Sequence, residues 1–404
     1  MSVPLPASTA DAWPVQQPGR LTPPQGFWLL GSLVVSFLAA SSAPSPLYGL
    51  YRETFGFSAL TLTLVFSVYA FALLGGLLVL GALSDYRGRR PVLLAALLLE
   101  LGSLVLFLCA DSVAWLLAAR LLQGLATGIA SAVLGAALLD FQRERGALVN
   151  SVAPMFGMAF GALGASALVQ FAQVPTRLVF EVALIIVGLQ TWAAFYLPET
   201  VTRRPGAWRS LRPRLAVPEA ARETLWLIAP LNTAQWALGG LYLSLGPTLA
   251  RSVIGSATPL LGGALIATLV LSGAVGILWL RHHPAHMVRA AAAGALCLGM
   301  LLTLGGIHFH VAAAFFLGTV VAGLGFGAGF NASVRSLVPL AQPHERGALM
   351  ASFLVISYLA FSLPALAAGL AVGHVGIEAA SLGYGLALIL ISGSAAWRMR
   401  KSLA

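Results

Sequence analysis

Lysine is nearly missing from this chain: Lys401 is the only one, and every other strongly basic residue is arginine. Charge of either sign is scarce, with Asp, Glu, Lys and Arg making up 9% of 404 residues. Soluble domains carry roughly a quarter charged residues. A chain that is 59% hydrophobic could not cover its apolar surface with so few. That excludes a soluble globular protein and leaves a polytopic, all-α membrane protein as the class that fits. Cysteine is limited to Cys109 and Cys297, both inside apolar runs, so there is no disulfide framework. No Gly-x-x-x-x-Gly-Lys-Ser/Thr stretch occurs, and Gly323, Gly325, Gly327 and Gly329 neither match Gly-x-Gly-x-x-Gly nor follow a soluble strand. ATP drive therefore has no support. Neither a zinc-protease helix nor a nucleophile elbow is present, so neither an enzyme nor a cofactor is expected. His282, His283 and His286 share one short link with no further ligand and read as a solvated basic turn, with no metal.

What the chain has in abundance is long apolar runs. A bilayer-spanning helix needs about 20 mostly apolar residues. Twelve stretches meet that requirement: Phe27–Tyr48, Ala59–Leu80, Val92–Ala110, Val113–Leu139, Ala147–Phe171, Leu178–Leu197, Leu225–Leu249, Pro259–Leu280, Val288–Ile307, Ala312–Leu337, Ala348–Val372 and Glu378–Trp397. The expected organisation is a tail (1–26), a six-helix half (27–197), a basic linker (198–224), a second six-helix half (225–397) and a short tail (398–404). With both ends cytoplasmic, the inner segments would hold 19 of the 23 Lys and Arg. That asymmetry predicts an even number of spans and explains the net charge of +10 without a nucleic-acid partner. The first residues lack a basic start followed by a short apolar stretch, so a cytoplasmic tail is expected rather than a signal peptide. The Arg-heavy composition suggests a GC-rich bacterium, hence a multi-pass protein of the inner membrane.

The linker holds Arg203, Arg204, Arg209, Arg212 and Arg214, with Pro205, Pro213 and Pro218 forbidding one continuous helix. A solvated tether is the plainer reading; Trp208 among the arginines also fits a segment lying on anionic headgroups.

The two halves look related. Glu144-Arg145-Gly146-Ala147-Leu148 recurs as Glu345-Arg346-Gly347-Ala348-Leu349, an offset of 201 that also takes Gly124 to Gly325, Gly128 to Gly329 and Pro46 to Pro247. Duplicated six-span halves with a site between them describe a secondary transporter working by alternating access.

Four ionisable residues crowd the link between the second and third runs, in Gly81-Ala82-Leu83-Ser84-Asp85-Tyr86-Arg87-Gly88-Arg89-Arg90-Pro91. Glycine and proline permit a tight reversal, and the arginines Arg87, Arg89 and Arg90 hold it on one side of the membrane. The pattern Gly-x-Leu-x-Asp-x-x-Gly-Arg-Arg-x-x-Leu resembles the loop between helices 2 and 3 of the major facilitator superfamily. The resemblance implies an inner gate: Asp85 would meet the positive N-terminal end of span 11, latching the cytoplasmic side in the outward-open state, Arg89 would pair with Asp140, and Arg145 and Arg346 would complete the cluster. The usual arginine after the aspartate is Tyr86 here.

Arg120 lies about 10 Å inside the fourth span. A buried arginine is costly unless paired or wetted, so it marks function by default; static tying of helices is the alternative. Arg120-x-x-Gln123-Gly124-x-x-x-Gly128 is similar to the span-4 motif of twelve-span drug/proton antiporters, where the arginine is associated with proton coupling. Glu100, at similar depth on span 3, could pair with Arg120 and carry the proton, or be a static buried group. Span 1 offers only serines where many such antiporters carry an acid. Pro154, Gly157 and Gly161 partly match the family's span-5 motif and also fit plain close packing.

Helical spacing puts Gln123, Thr127 and Ser131 on the Arg120 stripe, and Asn232, Gln235, Trp236 and Tyr242 on a stripe of span 7. With Tyr358 these are the expected substrate cavity, suited to a bulky, partly apolar molecule. The implied function is proton-coupled efflux of a small amphipathic or drug-like substrate by a monomer in the lipid bilayer. Uptake of a metabolite, or a non-transporting sensor on the same scaffold, are the alternatives.

Overall fold

The computed structural model describes residues 20–255 and 258–401. No strand element occurs among them; fifteen α-helices carry the fold. The first half of the chain gives α1 (Pro23–Ser42), α2 (Pro44–Phe55), α3 (Ala59–Leu80), α4 (Ser84–Arg87), α5 (Arg89–Leu108), α6 (Val113–Phe141), α7 (Arg143–Phe171) and α8 (Pro175–Ala194). After a stretch holding only the short α9 (Ala207–Ser210) come α10 (Glu219–Ser244), α11 (Gly246–Ile254), α12 (Leu260–Leu280), α13 (Ala285–His308), α14 (Ala312–Leu337) and α15 (Arg346–Lys401).

Ten helices among the described residues are long and apolar enough to cross a membrane, against twelve spans expected. The difference has two sources. The seventh span exists as α10, but its amides lower its hydropathy below that of its neighbours. The last two spans run together as α15, which leaves helical geometry at Gly376 (φ 80°, ψ 168°). A positive φ of that size favours glycine. Of the final tail, expected as 398–404, residues 398–401 are the end of this helix and 402–404 lie outside the described residues, as do residues 1–19 of the first tail.

Proline shapes α1. Pro44 has no N–H, so the Ala40 carbonyl loses its intrahelical donor, and the chain steps into α2. Pro247 stands near the equivalent step between α10 and α11, consistent with the sequence offset.

Glycine sets the helix spacing. A Cβ on Gly124 or Gly128 of α6 would collide with the carbonyls of Tyr69 and Leu73 on α3. On α7, Gly157 and Gly161 abut the Val35 and Ala39 carbonyls of α1 in the same way. Pro154 sits inside α7 without ending it.

The arginine-rich links gather at one end of the bundle. Trp28, Trp192, Trp226 and Trp279 are exposed at helix ends on that side, the place of an interfacial aromatic belt. At the opposite end the two halves of the chain press together. A Cβ on Gly263 of α12 would strike Ala162 and Ser166 of α7, one on Gly369 of α15 would strike Thr63 of α3, and Arg251 of α11 pairs with Glu53 of α2 at 3.5 Å.

Candidate functional site

The loop motif forms a compact charge cluster at the head of α5. Gly88 takes φ 98°, and any Cβ there would meet the Glu199 carboxylate. Glu199 is 7% exposed and accepts from the backbone N–H groups of Arg89 (2.8 Å) and Arg90 (3.1 Å), capping the positive end of α5. Arg89 pairs with Asp140 at 3.0 Å, the partner the resemblance implied, and also donates to Ser84 at 2.7 Å. Thr200 donates to the same Asp140 oxygen at 2.9 Å. Arg90 donates to the Leu197 carbonyl at 3.3 Å, while Gly81 lies against Ala132 of α6.

In this state Asp85 pairs with Arg89 four residues on, its side chain 57% exposed, and it is not latched to the head of α15, where the resemblance puts it in the outward-open state. Arg87 and Arg145 are exposed, and Arg346 donates to the Ala341 carbonyl at 3.2 Å. Arg89, Asp140 and Asp85 thus stand together, and neither Arg145 nor Arg346 makes an ion pair with them.

In the core of the first half, Glu100 and Arg120 make no direct ion pair. Gln123 stands between them: Arg120 Nη1 donates to Gln123 Oε1 at 2.6 Å, and Gln123 Nε2 donates to Glu100 Oε1 at 3.2 Å. One amide thus satisfies a cation with its oxygen and a carboxylate with its nitrogen. Gln123 and Arg120 reach the α1–α2 step as well. Gln123 Nε2 donates to Ala40 O at 3.1 Å, the carbonyl freed by Pro44, and Arg120 Nη1 donates to Ser41 O at 3.0 Å. The guanidinium also lies over the Tyr69 ring, 4.1 Å from its centroid. Arg120, Gln123 and Glu100 are 1% exposed or less, and Glu100 Oε2 and Arg120 Nε are buried without a partner. Thr127 is buried, donating to the Gln123 carbonyl at 2.8 Å, whereas Ser131 is exposed and outside the network.

The second-half stripe separates into three environments. Trp236 packs against Tyr358 (4.8 Å between centroids), Phe361 (5.7 Å) and Phe330 (5.8 Å). Phe361 meets Phe66 of α3 at 4.9 Å, so this aromatic cluster spans both halves of the chain. Asn232 donates to Ser357 of α15 at 2.9 Å and accepts from Gln235 at 3.2 Å. Tyr242 turns away from the cluster, 2.9 Å from the Thr319 hydroxyl of α14 and 3.4 Å from that of Thr303 on α13. It is a buried strut, and its place on the cavity stripe is corrected accordingly.

The residues that sequence reasoning missed are Glu199, Tyr69, Phe361 and the Ala40 and Ser41 carbonyls. Glu199 carried a weak signal, an acid between proline and threonine just after an apolar run. Nothing in the sequence pointed to the rest. His282, His283 and His286 are exposed, and no group of three metal-ligating side chains gathers among the described residues.

Apolar helices from two halves of one chain, a charge cluster at one end, and a buried polar network facing an aromatic cluster define a multi-pass membrane transporter. The Major Facilitator Superfamily profile matches residues 29–362. The chain belongs to that superfamily. A multidrug transporter, MdfA of Yersinia pestis bv. Antiqua, is 27% identical over 300 residues, covering 70% of this chain and 71% of that protein. In fold, the nucleoside transporter NupG superposes with a TM-score of 0.74 at 12% identity, covering 93% of this chain and all (100%) of that one. The human organic anion transporter MFSD10 does so at 0.68 and 20%, with the same coverage of 93% and 100%.

Proposed function

We propose that this transporter is a proton-driven exporter of small amphipathic or drug-like molecules, a bacterial inner-membrane protein with both termini cytoplasmic that works as a monomer. The observation that carries the reading is the Arg120–Gln123–Glu100 relay, a buried acid and a buried base held apart by one amide. Proton uptake has an available atom, the unpartnered Oε2 of Glu100. Neutralising that carboxylate weakens the charge-assisted bond from Gln123, and Gln123 and Arg120 both hold the α1–α2 step. Beyond the step, α2 carries Glu53, which meets Arg251 of the other half. The protonation state of Glu100 is thereby tied to the contacts at the end opposite the arginine-rich links, the kind of linkage that alternating access requires.

The Trp236–Tyr358–Phe361 cluster, between the halves and without a carboxylate of its own, supplies flat apolar faces for cargo. Similarity to a multidrug transporter supports export of such molecules.

The test is pH-gradient-driven transport in inverted membrane vesicles against lipophilic cations, neutral antibiotics and small metabolites. Wild type should accumulate at least one amphipathic compound, and Arg120→Ala should not. Normal transport by Arg120→Ala would end the coupling mechanism. Gradient-independent movement of a metabolite would favour uptake or facilitation.

A further inference from the structure

The stretch between Thr200 and Pro218 contains five arginines and no acidic residue. Arg203, Arg204, Arg209, Arg212 and Arg214 are all exposed, and none takes part in an ion pair. Trp208 stands among them, 78% exposed. A free strap would collapse or wander; this one is fastened at both ends. Arg204 N donates to the Tyr86 carbonyl at 2.9 Å, a Cβ on Gly206 (φ 104°) would come within 3.6 Å of the Tyr86 ring, and Ala207 is buried. Farther along, Ser352 of α15 donates to the Ala216 carbonyl at 3.5 Å. The strap therefore joins the loop motif of one half to the first turns of α15 in the other.

An indole held in water among five unpaired guanidinium groups is a poor arrangement for a solvated tether. It is the arrangement of an interfacial segment: indole favours the headgroup layer, and arginine is drawn to anionic lipid phosphates. The exposed Trp28, Trp192, Trp226 and Trp279 mark that layer at the same end of the bundle. We propose that residues 203–214 form a docking surface for anionic lipid headgroups, with Trp208 inserted and the arginines on the phosphates. Because the strap holds Tyr86, headgroup binding also braces the loop motif. This surface does not depend on what cargo moves or which ion drives it.

The test uses the full-length protein in vesicles of phosphatidylcholine with or without phosphatidylglycerol, the chains of one lipid brominated at a time. The Trp208 contribution is the emission lost in Trp208→Phe. Brominated phosphatidylglycerol should quench it about twofold more than brominated phosphatidylcholine, and high salt should remove the difference by screening. Replacing the five arginines by glutamine should also bring the two lipids to parity, while thermal unfolding stays unchanged. Quenching by neither lipid would overturn the proposal and return the strap to a tether or a soluble partner's surface. Equal quenching by both in wild type would overturn the anionic preference.

Discussion

Among single side chains, Gln123 decides how the buried charges communicate. On the proposed mechanism a direct Glu100–Arg120 pair would be broken by protonation alone, whereas the bridged arrangement would pass the change to the α1–α2 step. Glu100→Gln is permanently uncharged, so gradient-driven transport should be lost while substrate exchange across the membrane persists. The sign follows from the chemistry. Acidifying the proton-donating side favours neutral Glu100 and speeds wild type, and the variant should lose that dependence in a pH series. Gln123→Leu keeps both charges but removes the bridge, and should uncouple transport from the gradient while retaining exchange. If Gln123→Leu couples normally, the relay is not the carrier.

Helix ends and contacts carry the next set of consequences. The Glu199 carboxylate caps α5 and orders the loop motif from a distance of more than a hundred positions in the chain. Glu199→Ala should cost about 1–2 kcal/mol, read as a lower melting temperature of the purified protein. Arg89 should stay paired with Asp140 in that variant. Gly161 on α7 packs directly on the Ala39 carbonyl, so Gly161→Leu must push α7 off α1 and should destabilise by roughly 1–3 kcal/mol or more in the same measurement. Gly164, three residues on, meets nothing within 4 Å. Gly164→Ala is the matched control and should be neutral.

For the molecule as a whole, the tight contacts at the end opposite the arginine-rich links and the exposed, unlatched Asp85 describe a bundle closed at that end. Thr63→Cys with Gly369→Cys, in a background lacking Cys109 and Cys297, should cross-link and halt transport, with reduction restoring it. Arg251→Glu should weaken closure by no more than about 1 kcal/mol, since the pair is partly exposed, and Glu53→Arg in the same chain should recover it. Accessibility of single cysteines near Thr63 to a membrane-impermeant reagent would report both shifts.

The apolar runs, the arginine asymmetry and the loop motif were legible before any coordinates, because bilayer thickness and interfacial charge act on consecutive residues. Arg120 was legible as well, since a lone cation in an apolar run stands out wherever the helix packs. The Arg89–Asp140 pair came from the resemblance of the loop motif, which asks for an acid at the end of the fourth span. The bridge through Gln123, the aromatic ring under Arg120 and the cap by Glu199 were not, because each depends on which face one helix turns toward another. The carbonyls of Ala40 and Ser41 carry no side-chain signal at all; Pro44 exposes them, and only packing of α6 against α1 brings donors to them. The sequence by itself determined a membrane transporter and its charged landmarks. Tertiary structure decided how they are wired, because helix rotation and the glycine-set approach of neighbours place atoms that lie far apart along the chain.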